Sequence, residues 1–425
     1  MKKVSLILLL FFVAITANAQ TKYDTYFTPD RLRIDLVFAG NASSQHIFLD
    51  GLAKECAWSG SKTNLVDKFN YGEYYLEIKT LAGETIYSKG FNTLFQEWRT
   101  TPEAKTTPKS FNSSYIIPYP KDTVQLVVSE RVKLTGKFKE IYSIAIDPSD
   151  KLISKETTNN FKVTPIVNNG NSNEKVDILF IAEGYTATEM DKFRKDATKF
   201  AGYLFDIEPY KSRKQDFNIW AIESISKDSG TDIPHQDIWK ETVAGSNFFT
   251  FKIDRYLTAP NQKLICQIAS NAPYDALYVI VNTTKYGGGG IYNFYGLSMA
   301  NHKTEAPVFV HEFGHSFAGL ADEYYDSATT YEDFYNLKTE PWEPNITTLV
   351  NFGSKWQDLI SKDTPIPTPN DPKYLNVLGV FEGGGYMTKG IYRPYYECRM
   401  KNNTAQGFCP ACQRAINKMI DSYTK

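Results

Sequence analysis

The sequence is short of cysteine, histidine, charge of either sign in excess and long apolar runs, and each shortage excludes something. Five cysteines in 425 residues are too few for a disulfide-stapled scaffold. Lys and Arg total 47 against 48 Asp and Glu, interspersed along the chain. The electrostatic footprint of nucleic-acid or anionic-membrane binding is therefore missing. Beyond Ala17 no apolar stretch approaches the ~20 residues that a transmembrane helix needs. Histidine occurs only at positions 46, 235, 302, 311 and 315, and two of these stand four apart.

The one apolar run lies at the start. Lys2 and Lys3 precede Val4 to Ala17, and Ala17-Asn18-Ala19 follows before Gln20. This reads as a signal peptide over 1–19, cleaved after Ala19. The expectation is an exported chain, secreted, periplasmic or exposed at the cell surface. No cysteine follows the cleavage site to carry a lipid anchor. What remains exceeds the ~250 to 300 residues at which single cores divide, so two domains are expected.

Residues 20–158 alternate in period two. In LRIDLVF, Ile34, Leu36 and Phe38 face one way, Arg33 and Asp35 the other, as in a half-buried strand. The pattern returns in YYLEIK, VQLVV, RVKLTGKF and YSIAI, with no convincing helix, which predicts a β-sandwich. Thr101 to Pro120, with its Pro and Ser, reads as a long surface loop. Over 159–425 the grammar changes. VDILFIA is a continuous apolar strand, and a capping box at Thr186 and Glu189 opens a helix whose apolar face carries Met190, Phe193, Ala197, Phe200 and Leu204. Strands follow at FNIWAIES, ALYVIVN and IYNFYGLSMA. The fold class is a multi-domain α+β and α/β chain: a β-sandwich, then a mixed twisted sheet with an active-site helix and a C-terminal helix. GGGG at 287–290 precedes a strand and lacks the Lys-Ser/Thr ending of a phosphate loop, so it reads as a flexible lead into that strand. Asp228, Asp232 and Asp326 lack EF-hand spacing and support no calcium site.

Three cysteines crowd together: Cys398, Cys409 and Cys412. CPAC reads as a redox motif or as half a zinc knuckle, but no second CxxC supplies four ligands, so a bridge from Cys398 to Cys409 or Cys412 is expected. Cys56 and Cys266 read as buried structural thiols.

The chemistry sits in EAPVFVHEFGHSFAGLADEYYD from Glu305. HExxH puts His311 and His315 one turn apart on the same helix face, where two imidazoles can grip one Zn2+. Glu312, about a hundred degrees round the helix, lies beside that face, where a carboxylate can act as general base on the attacking water. Apolar neighbours Val308, Phe309, Val310, Phe313 and Phe317 argue against an accidental surface helix, since buried imidazoles need partners. A third ligand is required, and the other histidines are badly placed. Gly319 is a natural left-handed helix stop, and a chain turning back there brings Asp322 to the ion. In a continued helix Asp322 would sit about 10 Å beyond His315. Glu323 is the adjacent alternative.

HEFGHSFAGLADEY resembles the zinc motif of the immunoglobulin A peptidase family of bacterial metallo-endopeptidases and, more distantly, of the metzincins. Gly319 lies one residue later than in the metzincin pattern. The likeness runs from VDILFIAEGYT to the end, including SKDSGTDIP at 226–234 and YRP at 392–394, and family members carry a similar sandwich in front. It implies a zinc metallopeptidase domain over 159–425 acting on a protein or glycoprotein such as immunoglobulin A. It further implies a methionine turn at Met400, with Met387 as rival, and an edge strand at Ile291 to Ala300 above the cleft, available for substrate strand addition. Tyr392 or Tyr324 would be an oxyanion donor or structural support, and Gly319 a structural support. Two other readings stay open: a zinc hydrolase of glycan-linked or cell-wall peptides, and a non-catalytic binding protein with a degenerate zincin fold.

Overall fold

A computed structural model describes residues 23–155, 160–325 and 335–425. The expected leader at 1–19, the junction at 158 and 159 and Asp326 lie outside the described residues. The N-terminal part begins with a single helical turn, α1 (Tyr23–Tyr26), and continues as β1 (Phe27–Gly40), β2 (Gln45–Ala57), β3 (Tyr74–Thr80), β4 (Thr85–Phe91), helix α2 (Leu94–Arg99), β5 (Lys109–Pro120), β6 (Val124–Arg131) and β7 (Phe138–Ile146). All its strand pairs are antiparallel, forming one sheet in the order β2-β1-β5 and another in the order β4-β3-β6-β7. Both bury apolar faces in one core, where Leu32, Ile34, Leu36 and Phe38 of β1 share a cluster with Leu76, Ile78, Leu126 and Val128.

Three local expectations need correction. The segment expected as a surface loop contains β5, which pairs with β1 from Phe27 to Gly40. Its prolines at 118 and 120 are tolerated because β5 is the last strand of its sheet, where a missing N–H breaks no ladder. RVKLTGKF is not one strand: the chain turns between Arg131 and Phe138, with Gly136 in the left-handed region at φ +66° and the Val132 N–H bonded to the Lys137 carbonyl at 2.8 Å. The helix α2, unexpected, is capped by Thr93, whose Oγ1 accepts the Gln96 N–H at 3.0 Å.

The C-terminal part comprises β8 (Val163–Val167), β9 (Val176–Glu183), α3 (Met190–Phe205), β10 (Phe217–Ile222), α4 (Gln262–Ala269), β11 (Ala276–Val281), β12 (Gly288–Ile291), β13 (Tyr295–Met299), α5 (Glu305–Ala318), β14 (Phe381–Gly384), β15 (Met387–Arg393) and α6 (Pro410–Thr424). A six-stranded sheet runs β12-β13-β11-β9-β10-β8, its four inner strands parallel and its outer two antiparallel to their neighbours. All of β9 is buried, which is why Ile178 to Ala182 reads as an unbroken apolar run. Helices α3, α5 and α6 cover one face, with Phe180 and Tyr278 packed among Phe200, Phe309 and Met419. The other face carries α4 and, from the N-terminal part, Phe111 and Ile116. Ile291 to Ala300 is not the edge strand: β13 lies inside the sheet and the glycine-rich β12 is the edge, itself bridged at Gly288 by Tyr256.

The polar face of β1 is not a solvent face. Arg31, Arg33 and Asp35 are all buried against the C-terminal part. Arg31 donates to the carbonyls of Ala272 at 3.0 Å and Ser270 at 2.7 Å, just past α4, and its Nε pairs with Glu55 at 2.9 Å. A guanidinium suits the carbonyl end of a helix, where its charge meets the dipole. Arg31→Met should cost about 1–3 kcal/mol, because it removes the buried donor to the Ser270 and Ala272 carbonyls while Arg33 still pairs with Glu55. Urea unfolding of the full chain, followed by tryptophan fluorescence, measures it, and a loss below about 1 kcal/mol would mean the joint is held by apolar contact alone.

Candidate metal centre and cleft

Helix α5 is fixed by its apolar side: Phe309 packs on Phe180, Phe200 and Tyr278 at centroid distances of 6.0, 5.0 and 4.7 Å. Pro307 falls in the first turn, where its missing N–H has no helical partner to lose. The helix stops at Gly319, which adopts φ +63° and returns its N–H to the carbonyls of Gly314 and His315. A Cβ at Gly319 would come within 2.9 Å of the Trp342 ring.

The turn brings three donors to one point. His311 Nε2 and His315 Nε2 lie 3.0 Å apart, and Asp322 Oδ1 lies 3.1 Å from the first and 3.2 Å from the second. Each imidazole turns its Nδ1 to a backbone carbonyl, His311 to Arg399 at 3.0 Å and His315 to Leu320 at 2.5 Å. A carbonyl only accepts, so both Nδ1 atoms carry hydrogen and the neutral rings point Nε2 lone pairs at each other and at a carboxylate oxygen. Asp322 Oδ1 is buried and receives no hydrogen bond. Three buried acceptors at this spacing repel unless a cation sits among them. Donors about 2.05 Å from a tetrahedral zinc stand about 3.3 Å apart, close to the observed triangle, so the residues present fit the ion. Without a cation, His315 must take a second proton. Burial opposes that charge, but the Asp322 carboxylate outweighs it and pushes the imidazole pKa up to about 9. Burial likewise works against the Asp322 carboxylate, but the two imidazoles hold its pKa well below the usual carboxylate range.

Backbone and side chains around the triangle hold it still. Tyr386, itself at φ +66°, donates its hydroxyl to Asp322 Oδ2, which leaves Oδ1 facing the imidazoles. The Gly385 N–H binds the Asp322 carbonyl at 2.9 Å. Glu323 points elsewhere, into the cluster of Cys398, Cys409 and Cys412, while its N–H donates to the Met400 carbonyl at 2.8 Å. Met400 is fully buried, and its Sδ would lie 2.9 Å from a Cβ on Gly314, directly under the helix. Met387 packs with Tyr335 beside Ala321 and Ile391 instead. Tyr392 lies away from the cleft, its backbone paired with Thr347, whereas Tyr324 lines the cleft and stacks on His311 at 6.4 Å.

The triangle opens into a cleft of about 600 Å³. Glu312 lines it, its pKa raised by burial, with the two imidazoles partly opposing. Strand β12 lies along α5 so closely that a Cβ on Gly288 would reach Glu312 Oε1 at 3.0 Å, and one on Gly290 would strike the Glu312 carbonyl at 2.3 Å. The glycines are thus no flexible lead: Gly288 and Gly290 lie against the helix, while Gly287 and Gly289 are crowded by Phe248, Arg255, Tyr256 and Leu257. The opposite wall contains Asn92, Gln96 and Glu97 from the N-terminal part, which no local sequence signal announced. Burial raises Glu97 to about 7, although the Tyr256 hydroxyl that it accepts, and His315, act to lower it. Arg255 and Tyr286 complete the rim. A larger cavity of about 1080 Å³ lies elsewhere, near Trp58, Lys89, Asp275 and Tyr423. Among the described residues neither of the two groups of metal-binding side chains lines it.

The expected bridge and the expected burial of Cys56 are corrected, while Cys266 is buried as expected. No bridge joins Cys398 to Cys409 or Cys412, all three being buried free thiols, and Cys56 is exposed while Cys266 is buried.

Two family profiles match the chain. The one described as IgA Peptidase M64 matches residues 164–376 and 370–420, and the one described as Peptidase M64 N-terminus matches residues 22–143. No curated protein matches it.

Because β12 and α5 meet backbone to backbone at Gly290, Gly290→Ala should separate them. The expected loss is about 1–3 kcal/mol of stability, as for other overpacking changes. Differential scanning fluorimetry reads it as a lowered midpoint, and an unchanged midpoint would show that the strand can shift freely.

Proposed function

Since this chain belongs to the IgA peptidase M64 family and carries that family's N-terminal unit, we propose that it is an exported zinc endopeptidase with His311, His315 and Asp322 as metal ligands and Glu312 as general base. The carrying observation is the triangle of two imidazole nitrogens and one carboxylate oxygen, with edges of 3.0, 3.1 and 3.2 Å. Export rests on the leader-like residues 1–19. We read the domain as metzincin-like, with Met400 as the methionine under the helix, and the paired N-terminal sheets as a β-sandwich.

When bound, the ion would polarise the scissile carbonyl and acidify a water. The chain's own groups do the rest. Glu312, less acidic than an exposed carboxylate because it is buried, accepts the proton of the attacking water and passes it to the amide nitrogen that leaves. Asp322 stays ionised, and Tyr386 holds it with one oxygen facing the imidazoles. The Arg399 and Leu320 carbonyls fix both imidazoles in the tautomer that offers Nε2. Substrate enters between β12 and the α2 wall, so the N-terminal unit takes part in choosing it. Immunoglobulin A, named in the family's description, is the first protein to offer it.

Glu312→Gln should bind zinc as the wild type does and lower kcat by about 10²–10⁴. Cleavage of a quenched casein substrate, with zinc measured in the same samples, tests it. Wild-type turnover by the zinc-loaded variant would sink the mechanism. Tyr386→Phe should keep the fold and weaken zinc binding about 10–100-fold, as for other groups that orient a ligand. Competition with a chelating dye reads that change.

A further inference from the structure

One polar cluster is left unused by the cleft. Glu323, Cys398, Cys409 and Cys412 are all buried, and one ligand atom from each lies within 4.8 Å of the others. They come from three separate places: the residue after Asp322, the segment beneath α5, and the first turn of α6. We propose that these four side chains hold a second ion, a structural zinc bound by three thiolates and one carboxylate, which locks the floor of the cleft.

The distances favour an ion over a bridge. Cys398 Sγ and Cys412 Sγ are 3.8 Å apart. A disulfide needs about 2.05 Å, whereas two thiolates each about 2.3 Å from a tetrahedral zinc stand about 3.8 Å apart. A pairwise bridge would also strand the third thiol and the carboxylate in the interior. Glu323 is 0 % exposed, and its Oε2 meets no hydrogen-bond donor. Its other oxygen accepts from Asn345 Nδ2 at 3.0 Å and lies 3.2 Å from Cys412 Sγ. A buried carboxylate aimed at three sulfurs is costly unless a cation meets it.

The surroundings suit thiolates. Cys409 is the N-cap of α6, and Pro410 opens the helix without needing an N–H partner, so the positive end of the helix faces the CxxC pair. The Cys409 N–H donates to Cys398 Sγ at 3.3 Å. The buried Arg393 guanidinium offsets the Glu323 charge, with Nε unpartnered. Three sulfurs and one oxygen in a closed, dry site select zinc over magnesium or calcium, which prefer all-oxygen shells.

The site's use follows from what its ligands neighbour. Cys398 precedes Arg399, whose carbonyl orients His311, and Met400, whose carbonyl receives the Glu323 N–H. Fixing Cys398 and Glu323 to one ion pins the backbone on both sides of the catalytic triangle. This role is independent of the peptidase reading.

The test is a metal and thiol inventory of the full chain, purified with zinc and without reductant. Wild type should contain two zinc ions per chain, His311→Ala with His315→Ala one, and Cys409→Ser with Cys412→Ser one. With cobalt in place of zinc, the histidine double variant should keep the intense near-ultraviolet thiolate-to-cobalt charge-transfer band. All five cysteines should titrate after unfolding in chelator, whereas a bridge would leave three (five minus two). A bridge, or a histidine double variant without metal, overturns the proposal. A single zinc that survives in the histidine variant and vanishes in the cysteine variant upholds this site and defeats the zinc reading of the cleft. Should the cysteine variant not fold, the wild-type count, the histidine variant and the thiol titration decide.

Discussion

The reversal at Gly319 is the constraint on which the rest depends. A helix that continued would carry Asp322 about 10 Å past His315; the left-handed residue brings its carboxylate to 3.2 Å instead. The same turn aims the Leu320 carbonyl at His315, so one backbone event brings in the carboxylate and orients an imidazole. Trp342 and Tyr292 crowd the position, so a side chain there is refused by space as well as by torsion.

Around that turn, parts distant in sequence are pressed into a small volume. The 398–400 segment passes under α5, holding His311 through a carbonyl and the helix through the Met400 side chain. The hairpin of β14 and β15 reaches in from the other side with Gly385 and Tyr386. Strand β12 gives up its side chains to lie against the helix. Each contact removes freedom from groups that would otherwise repel, which is how buried lone pairs are kept aimed at one another.

Part of this was legible in the sequence because it is local. HExxH and its apolar frame follow helix periodicity, and a glycine followed by acidic residues signals a turn with a carboxylate beyond it. The period-two runs gave most strands, and one continuous apolar run gave β9. What was misread has nonlocal causes. β5 carries prolines and serines that suit an edge strand as well as a loop. The polar side of β1 looks solvent-facing, yet it is buried against a second part of the chain. Four glycines usually signal slack, and here close packing demands them. Glu97, Arg255 and Tyr386 enter the cleft from elements hundreds or tens of residues away, with no periodic signature. CPAC looked incomplete because its companions, Cys398 and Glu323, are assembled only by the fold.

The N-terminal sheets reach the catalytic half in two ways: Arg31 seats on the carbonyl end of α4, and α2 forms a wall of the cleft. They are therefore no detachable cassette. Trading them for a foreign recognition module would leave the groove open along one flank and strip α4 of its cap, so diversification of this architecture is confined to loops and rim residues.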